Sequence, residues 1–301
     1  MIWKGVMPAM TTAFNPDLSL DHASIAKRAK WMIASGCTGI VALGSLGEAA
    51  AMSNAEKKAV LETIRAAVDA PLVAGISGLS TAETVALAKT ASEIGCDGLM
   101  VLPPYVYRGD WREMKAHISA VFRATQHSCM LYNNPIAYGT DFTPEQIVEL
   151  AAEHGNFMAV KESSGDVRRV TAIRSLLGDR LAVFVGVDDE IVEAIAAGAT
   201  GWIAGLVNAF PQESVALFDL AKAGRWTEAF KLYRWFLPLL RLDTVPKFVQ
   251  LIKLAEARAG VGTATVRPPR LELVGEELEG IIRLIDNAIE HRPLVRHAGA
   301  V

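Results

Sequence analysis

The chain has few cysteines, almost no excess charge and no long apolar run. Its 301 residues contain three cysteines, Cys37, Cys96 and Cys129, which are isolated from one another and form neither a CxxC pair nor a metal-type spacing. This usage is typical of a reduced cytoplasmic protein without a disulfide framework. A formal net charge of −3 without basic clusters argues against a nucleic-acid partner.

Signals for membrane insertion and export are also missing. No segment approaches the roughly eighteen uninterrupted apolar residues of a membrane-spanning helix, so we expect no membrane partner. Residues 1–10 are too short and too mixed in character for a signal peptide, which indicates a cytoplasmic location. What the chain does have is a hydrophobic content of 51% and 24 glycines, both typical of the well-buried core of an enzyme.

Short apolar runs alternate with amphipathic stretches along the first two thirds of the chain, on a period of roughly thirty residues. Because each run is continuously apolar, it predicts a parallel strand that is covered on both faces. No GxGxxG turn follows the first strand, which favours a (β/α)8 TIM barrel over a doubly wound sheet in this α/β protein. The predicted strands are 5–10, 39–43, 72–76, 98–102, 129–132, 157–161, 182–187 and 201–204.

Amphipathic helices are predicted between the strands and after the last one. Ser53, Thr81 and Thr143 are the predicted N-caps of three of them. The predicted helices of the barrel are 21–35, 53–69, 81–95, 110–126, 143–154, 166–177 and 189–197, and those that follow it are 211–223, 225–238, 244–259 and 275–291. We therefore expect a barrel at 1–208, a C-terminal helical bundle at 209–292 and a frayed tail at 293–301.

Lys161 ends the apolar run 157–160 and precedes the polar stretch 162–166. Barrel enzymes carry their chemistry at the C-terminal ends of the strands. A lysine buried there has a lowered pKa, and its neutral amine is the nucleophile that attacks carbonyl carbons. From this segment alone the alternative stays open that Lys161 is an ordinary lysine whose amine reaches solvent.

Other strand ends supply groups that suit carbonyl chemistry. Tyr132 ends the fifth strand, and the loop 44–48, with Ser45, offers hydroxyl and backbone N–H groups to a carboxylate unless it is only a tight turn. An amine, a phenol and a hydroxyl at one mouth predict imine formation, proton transfer and binding of an acid group. Asp188 and Asp189 are predicted to cap a helix, and no histidine lies at a strand end, so we expect neither a metal nor another cofactor.

Four segments, in order on the predicted strands, resemble the dihydrodipicolinate synthase / N-acetylneuraminate lyase family of Schiff-base barrels, over nearly the full length of the chain. They are GSLGE at 44–48, YNNP at 132–135, VKESS at 160–164 and GVDD at 186–189. The resemblance implies that Lys161 forms an imine with a 2-oxo acid, that Tyr132 relays protons and that the protein is a homotetramer built as a dimer of dimers. The substrate-binding residues that it implies are Ser45, Leu46, Gly47, Asn134, Ala137, Gly186 and Ile203.

Three positions depart from the synthase pattern. Ala137 stands where the synthase has an arginine for the carboxylate of its second substrate, and Leu46 replaces the second threonine of the loop. The synthase's second relay tyrosine, contributed by a neighbouring subunit, falls on Val106, although Tyr107 is adjacent. Without the arginine, a second carboxylate would be poorly held in the pocket.

Further segments resemble a narrower group within the family, the 1-pyrroline-4-hydroxy-2-carboxylate deaminases of hydroxyproline breakdown. The segments are YNNP followed by Tyr138 and Asp141, SSGD at 163–166 followed by Arg168 and Arg169, GW at 201–202, YRW at 233–235 and RPPRL at 267–271. This group's reaction releases ammonia and 2,5-dioxopentanoate, and its substrate has a single carboxylate. The resemblance therefore implies a Schiff-base deaminase.

Three other functions remain open from the sequence. One is synthase-like condensation of pyruvate with an aldehyde. Another is aldol cleavage or dehydration of a 2-keto-3-deoxy sugar acid; binding such a substrate needs extra polar groups near Asn134, Ala137 and Asp189. The third, from a different class, is a barrel that binds a 2-oxo acid without turning it over. Such a sensor would tolerate Lys161→Arg, whereas an imine-forming enzyme would not.

Overall fold

The structure, a computed structural model, describes residues 3–295 as a closed barrel of eight parallel strands followed by further helices. Neighbouring strands pair in the order β1-β8-β7-β6-β5-β4-β3-β2, and a parallel bridge between Ala9 and Val41 closes the ring between β1 and β2. The predicted (β/α)8 barrel is thereby confirmed. The strands are β1 (Gly5–Pro8), β2 (Ile40–Ala42), β3 (Leu72–Ile76), β4 (Gly98–Val101), β5 (Ser128–Asn133), β6 (Phe157–Glu162), β7 (Ala182–Val185) and β8 (Gly201–Ala204).

Eight helices accompany the barrel strands in the described part of the chain, and four more follow the last strand. The first eight are α1 (His22–Ala34), α2 (Asn54–Ala67), α3 (Thr81–Ile94), α4 (Trp111–Arg123), α5 (Pro135–Tyr138), α6 (Pro144–Glu153), α7 (Arg168–Leu177) and α8 (Ile191–Ala196). The last four are α9 (Pro211–Lys222), α10 (Trp226–Leu240), α11 (Phe248–Arg258) and α12 (Gly275–Glu290). The predicted tail at 293–301 falls in part on residues 296–301, which lie outside the described residues.

Two of the three predicted N-caps are found in the structure, and one is wrong by a residue. Ser53 and Thr143 each accept a hydrogen bond from the backbone N–H of the third residue of their helix, and both form capping boxes. In α3 the cap is Ser80, whose side chain accepts from the backbone N–H of Glu83 at 3.2 Å. Thr81 is instead the first helical residue, because Ser80 already has the extended backbone that a cap requires.

The C-terminal helices are tied to the mouth of the barrel by buried ion pairs. On α11, Lys253 donates to Glu48 in the loop after β2 at 2.5 Å, and Glu256 pairs with Arg28 of α1 at 2.8 Å. Because α11 is held in this way, the turn before it, Arg241–Asp243, lies beside the C-terminal ends of the strands. None of the helices between residues 3 and 295 has both the length and the apolar character to cross a bilayer.

Candidate active site

Lys161 and Tyr132 are register partners on the adjacent strands β6 and β5. Both are buried, and Nζ of Lys161 lies 4.2 Å from the centroid of the Tyr132 ring. The amine therefore rests on the face of the ring, at the C-terminal end of the strands where barrel enzymes place their reacting groups. The ordinary, solvent-reaching lysine that the sequence left open is not what the structure contains.

Burial lowers the pKa of Lys161 to about 8, against the opposing influence of the carboxyl groups of Asp243 and Asp188. Taking the amine out of water disfavours its charged form, and the nearby negative charges only partly offset this. At pH 7 about one lysine in ten is then neutral, compared with roughly one in three thousand at an unshifted pKa. The site therefore supplies a usable amine nucleophile near neutral pH.

The hydroxyl of Tyr132 is oriented by Asn134. The side-chain amide of Asn134 donates to the phenolic oxygen at 2.9 Å, and its carbonyl oxygen accepts from the backbone N–H of Ala137 at 2.9 Å. Burial raises the pKa of Tyr132 to about 12, so the phenol stays protonated and its proton remains available to a bound molecule. Asn134 was predicted to bind substrate; it lines the cavity, and both ends of its amide are engaged by the protein.

A second tyrosine, the partly buried Tyr138, contacts the predicted carboxylate-binding residue Ser45. The hydroxyl groups of the two residues are in hydrogen-bonding contact, and the Tyr138 ring packs edge-on against Tyr132 at 5.9 Å between centroids. The short helix α5 creates this arrangement, since Asn134 caps its start and Gly139, with φ of 71°, ends it after one turn. From the sequence, Tyr138 is only part of a motif without a role of its own, although Asn-Pro before it and Gly after it are the signal for such a turn.

One cavity of about 420 Å³ joins these groups, a volume typical of a site for a small molecule. Of the predicted site residues, all but Gly47 line it, and Gly44 lines it from the same loop. The lining residues are Ala9, Gly44, Ser45, Leu46, Met100, Tyr132, Asn134, Ile136, Ala137, Lys161, Ser163, Gly186, Val187, Ile203, Gly205, Asp243, Thr244, Val245, Pro246 and Phe248. Gly47 packs behind the wall, where its carbonyl oxygen accepts from the Thr12 hydroxyl at 2.8 Å.

Gly186 provides the space that the lysine side chain occupies. A β-carbon at this position would lie 2.2 Å from Cε of Lys161 and 2.1 Å from Oγ of Ser163. Those distances are far below van der Waals contact, so any side chain at position 186 would push Lys161 away from its place over Tyr132. The absence of a side chain at this predicted substrate-binding position thus lets the amine take its place over Tyr132.

The prediction that Asp188 and Asp189 cap the helix after β7 is wrong. Neither side chain caps a helix. Asp188 is fully buried and accepts from the indole N–H of Trp202 at 3.0 Å and from two backbone N–H groups, those of Gly205 at 3.1 Å and Leu206 at 2.8 Å. It therefore fixes the end of β8, and burial raises the pKa of its carboxyl to about 6.

Asp243 is a cavity residue that the sequence analysis missed. It reaches the mouth from the turn before α11, about eighty residues beyond β6 and between two predicted helices, where no local pattern marks a site residue. Tyr107, in contrast, does not line the cavity: it is exposed, and its hydroxyl donates to Glu113 at 2.7 Å. Within residues 3–295, no group of three or more His, Cys, Asp or Glu is arranged to hold a metal ion.

Comparison with known proteins agrees with this architecture. The sequence profile described as the dihydrodipicolinate synthetase family matches residues 2–288. A 4-hydroxy-tetrahydrodipicolinate synthase from Exiguobacterium sibiricum is 32% identical over 296 residues, which cover 98% of this chain and 100% of the relative. Another from Natronomonas pharaonis is 33% identical over 279 residues, which cover 92% of this chain and 95% of the relative. YagE, a prophage protein of the dihydrodipicolinic acid synthase family from E. coli K12, solved in complex with pyruvate, superposes with a TM-score of 0.90 at 26% identity, covering 96% of this chain and 99% of that one.

Proposed function

The chain belongs to the dihydrodipicolinate synthetase family, and we propose that it is an enzyme in which Lys161 forms an imine with a small 2-oxo or cyclic 2-imino acid. The observation that carries this proposal is the buried amine of Lys161, 4.2 Å from the Tyr132 ring centroid and with a pKa lowered to about 8. A neutral amine beside a protonated phenol is the pair that imine chemistry needs, because one group attacks the carbonyl carbon and the other supplies and removes protons.

We propose further that the substrate is 1-pyrroline-4-hydroxy-2-carboxylate and that the products are 2,5-dioxopentanoate and ammonia. Among the described residues that line the cavity, Lys161 is the single cationic side chain, and Ala137 and Ile136 form the wall where a second carboxylate would need a partner. A substrate with one carboxylate, held at Ser45 and the backbone of Leu46, is therefore favoured over a pair of substrates that bring two carboxylates.

We propose the following steps, with Lys161 as the nucleophile and Tyr132 as the proton relay. Lys161 attacks C2 and displaces the ring nitrogen, which leaves an open-chain imine with a free amine on C5. Tyr132 assists removal of a proton from C3, the electron pair forms the C3–C4 double bond, and the C4 hydroxyl leaves as water. The resulting conjugated imine loses a proton from C5 and gains one at C3, which gives an enamine with a C4–C5 double bond. This enamine tautomerises to an imine at C5, whose hydrolysis releases ammonia, and a second water frees the product from Lys161. The net reaction consumes one water.

A second candidate is condensation of pyruvate with an aldehyde, because the two relatives named above are 4-hydroxy-tetrahydrodipicolinate synthases. The two candidates share imine formation at Lys161 and differ in the second half of the reaction. Ala137→Arg would add the cation that a second carboxylate requires, so it should improve binding of an acidic aldehyde and impair the hydroxypyrroline.

The deciding experiment incubates the protein with the hydroxypyrroline, or with pyruvate, in the presence of borohydride and maps the adduct by mass spectrometry. We expect each adduct on the peptide that contains Lys161, and none in Lys161→Arg. Ammonia release from the hydroxypyrroline supports the deaminase. Condensation of pyruvate with aspartate semialdehyde, without ammonia release, would establish the synthase instead, and binding without either reaction would leave a 2-oxo acid sensor.

We also propose that the protein acts in the cytoplasm as a homotetramer, with the barrel at 1–208 and the helical region at 209–292 as its two parts. Large apolar side chains near the mouth, Val106 and Tyr107, are exposed in the single chain and suit an interface between subunits. Sedimentation equilibrium measures the assembly: a mass of four chains supports the proposal, and a monomer at working concentration contradicts it.

A further inference from the structure

The Asp243 carboxyl lies in the wall of the cavity, at the end of β8. A β-carbon on Gly205 would come within 2.1 Å of its Oδ1, so the carboxyl group rests directly on the Gly205 backbone. Oδ1 is buried and finds no hydrogen-bond partner within the described residues. Nearly all buried polar atoms in proteins are paired, so an unpaired oxygen on a carboxyl group that lines the cavity indicates a group kept for a bound molecule.

Asp243 and Asp188 flank Gly205 on two sides but differ in their partners. The Asp188 carboxyl accepts hydrogen bonds from Trp202, Gly205 and Leu206, which stabilise its charged form. Asp243 has no such donors, and burial together with the neighbouring charge of Asp188 raises its pKa well above the ordinary value. When two carboxyl groups lie close together, the one without hydrogen bonds to its charged form retains the proton.

We propose that Asp243 is a catalytic residue that donates its proton to the C4 hydroxyl of the substrate as that hydroxyl leaves. This inference rests on the proposed function. The C3–H bond breaks, its electron pair forms the C3–C4 double bond, and the C4–O bond breaks with its pair remaining on oxygen. The departing oxygen takes the proton of Asp243 and leaves as water, and the carboxylate regains a proton from solvent before the next turnover.

A purely electrostatic role for Asp243 predicts a different result. The negative charge of Asp243, when present, raises the pKa of Lys161 and so disfavours the neutral amine. Removing the carboxyl should therefore leave imine formation intact or make it faster. A loss that is confined to the departure of the hydroxyl is expected only if Asp243 acts on the leaving group.

The test compares Asp243→Asn with the wild-type protein on three compounds. Asparagine keeps the shape of the side chain and cannot transfer a proton. For the hydroxypyrroline we expect turnover to fall by about 100-fold or more, the usual effect of losing a general acid. Borohydride trapping with pyruvate, which has no C4 hydroxyl, should stay within about threefold of wild type and also reports that the variant is folded. The analogue with fluoride in place of the hydroxyl should react at about the wild-type rate, because fluoride leaves without a proton.

The outcomes separate the two proposals. Wild-type protein that forms the pyruvate imine but does not release ammonia from the hydroxypyrroline overturns the proposed function, and with it this role of Asp243. If the wild-type protein turns over the hydroxypyrroline and Asp243→Asn reduces this rate by less than about threefold, only the role of Asp243 is overturned. The same conclusion follows if Asp243→Asn loses as much activity with the fluoride analogue as with the hydroxypyrroline. Asp179→Asn, a substitution at a solvent-exposed aspartate paired with Arg174, is the matched control and should behave as wild type on all three compounds.

Discussion

The amine of Lys161 lies over the face of the Tyr132 ring, 4.2 Å from its centroid, while the hydroxyl of that ring is held by Asn134. The phenol thus touches the lysine with its ring and leaves its proton free for another molecule. The two residues can then act in sequence, first the amine on the carbonyl carbon and then the phenol on the protons of the imine.

The first prediction concerns pH. Because burial lowers the pKa of Lys161 to about 8, the rate of imine formation should rise with pH and reach half its maximum near pH 8. Below that pH the amine is protonated and cannot attack; above it the neutral form predominates. Borohydride trapping rates with pyruvate, measured between about pH 6 and 10, test this. A midpoint above about pH 10 would show that the amine has the properties of a solvated lysine.

Tyr132→Phe is the matched variant for this profile. It keeps the ring under the amine and removes only the hydroxyl, so the midpoint of imine formation should stay near pH 8 while turnover falls by about 100-fold or more. A midpoint that moves by more than one unit would show that the hydroxyl, and not burial, sets the pKa of the lysine.

The second prediction concerns the space beside Lys161. In Gly186→Ala, the new methyl group would overlap Cε of Lys161 and Oγ of Ser163, so the amine must move from its position over Tyr132. We expect imine formation to slow by about 10- to 100-fold, since a displacement on the order of 1 Å at a reacting group has effects of this size.

Gly155→Ala is the control, because nothing lies within 4 Å of a β-carbon at that position. Trapping rates and thermal unfolding of both variants give the comparison. If Gly186→Ala forms the imine as fast as wild type, the glycine is not needed to place the lysine.

The sequence predicts the barrel well because the feature that defines a parallel barrel strand is local. The runs 72–76 and 201–204 are strands with those same bounds. A continuously apolar run of this length is fully buried in an α/β protein when it forms a parallel strand that is covered on both faces. Lys161 and Tyr132 come together for the same reason, since each is the last residue but one of its strand and the two strands are neighbours.

The rest of the site depends on contacts between distant parts of the chain, which no local pattern records. Asp188 has the sequence of a helix cap, yet three donors from the β8 end bind its carboxyl. Asp243 enters the cavity only because the buried pairs of α11 hold the preceding turn against the barrel. The position of Tyr138 depends on α5, a helix of a single turn. A helix this short leaves no detectable periodicity in the sequence.

The third prediction concerns Tyr138. Its hydroxyl contacts Ser45, and burial raises the pKa of Tyr138 above its ordinary value, so the phenol stays protonated and its hydrogen bond orients the serine hydroxyl. Tyr138→Phe should reduce kcat/KM by about tenfold, the equivalent of one hydrogen bond of ~1.4 kcal/mol, while borohydride still traps the imine at Lys161.

Tyr107→Phe provides the comparison, because Tyr107 is exposed and its hydroxyl is bound to Glu113. We expect its kcat/KM to remain within about twofold of wild type. The opposite ranking of the two variants would indicate that Tyr107 reaches a neighbouring subunit's site and that the Tyr138–Ser45 contact has no part in the reaction.

The fourth prediction concerns the buried pair that attaches α11 to the barrel mouth. Lys253 donates to Glu48 at 2.5 Å and to the carbonyl oxygen of Thr265 at 2.7 Å, and both charged side chains are almost completely buried. Lys253→Met leaves the Glu48 carboxylate buried without its cation, which should lower the free energy of unfolding by about 3–5 kcal/mol. Lys58→Met, which breaks an exposed pair with Glu62, should cost less than about 1 kcal/mol.

The double variant Glu48→Gln with Lys253→Met distinguishes a cost of charge burial from a cost of lost packing. Removing the stranded carboxylate should recover part of the stability, because the uncompensated charge is the main source of the loss. Urea unfolding of the three variants measures this, and a double variant no more stable than Lys253→Met would contradict it. Because Glu48 is the last residue of the loop 44–48, which carries Ser45, we also expect Lys253→Met to raise the KM for the acid substrate, an effect that the exposed pair at Lys58 cannot produce.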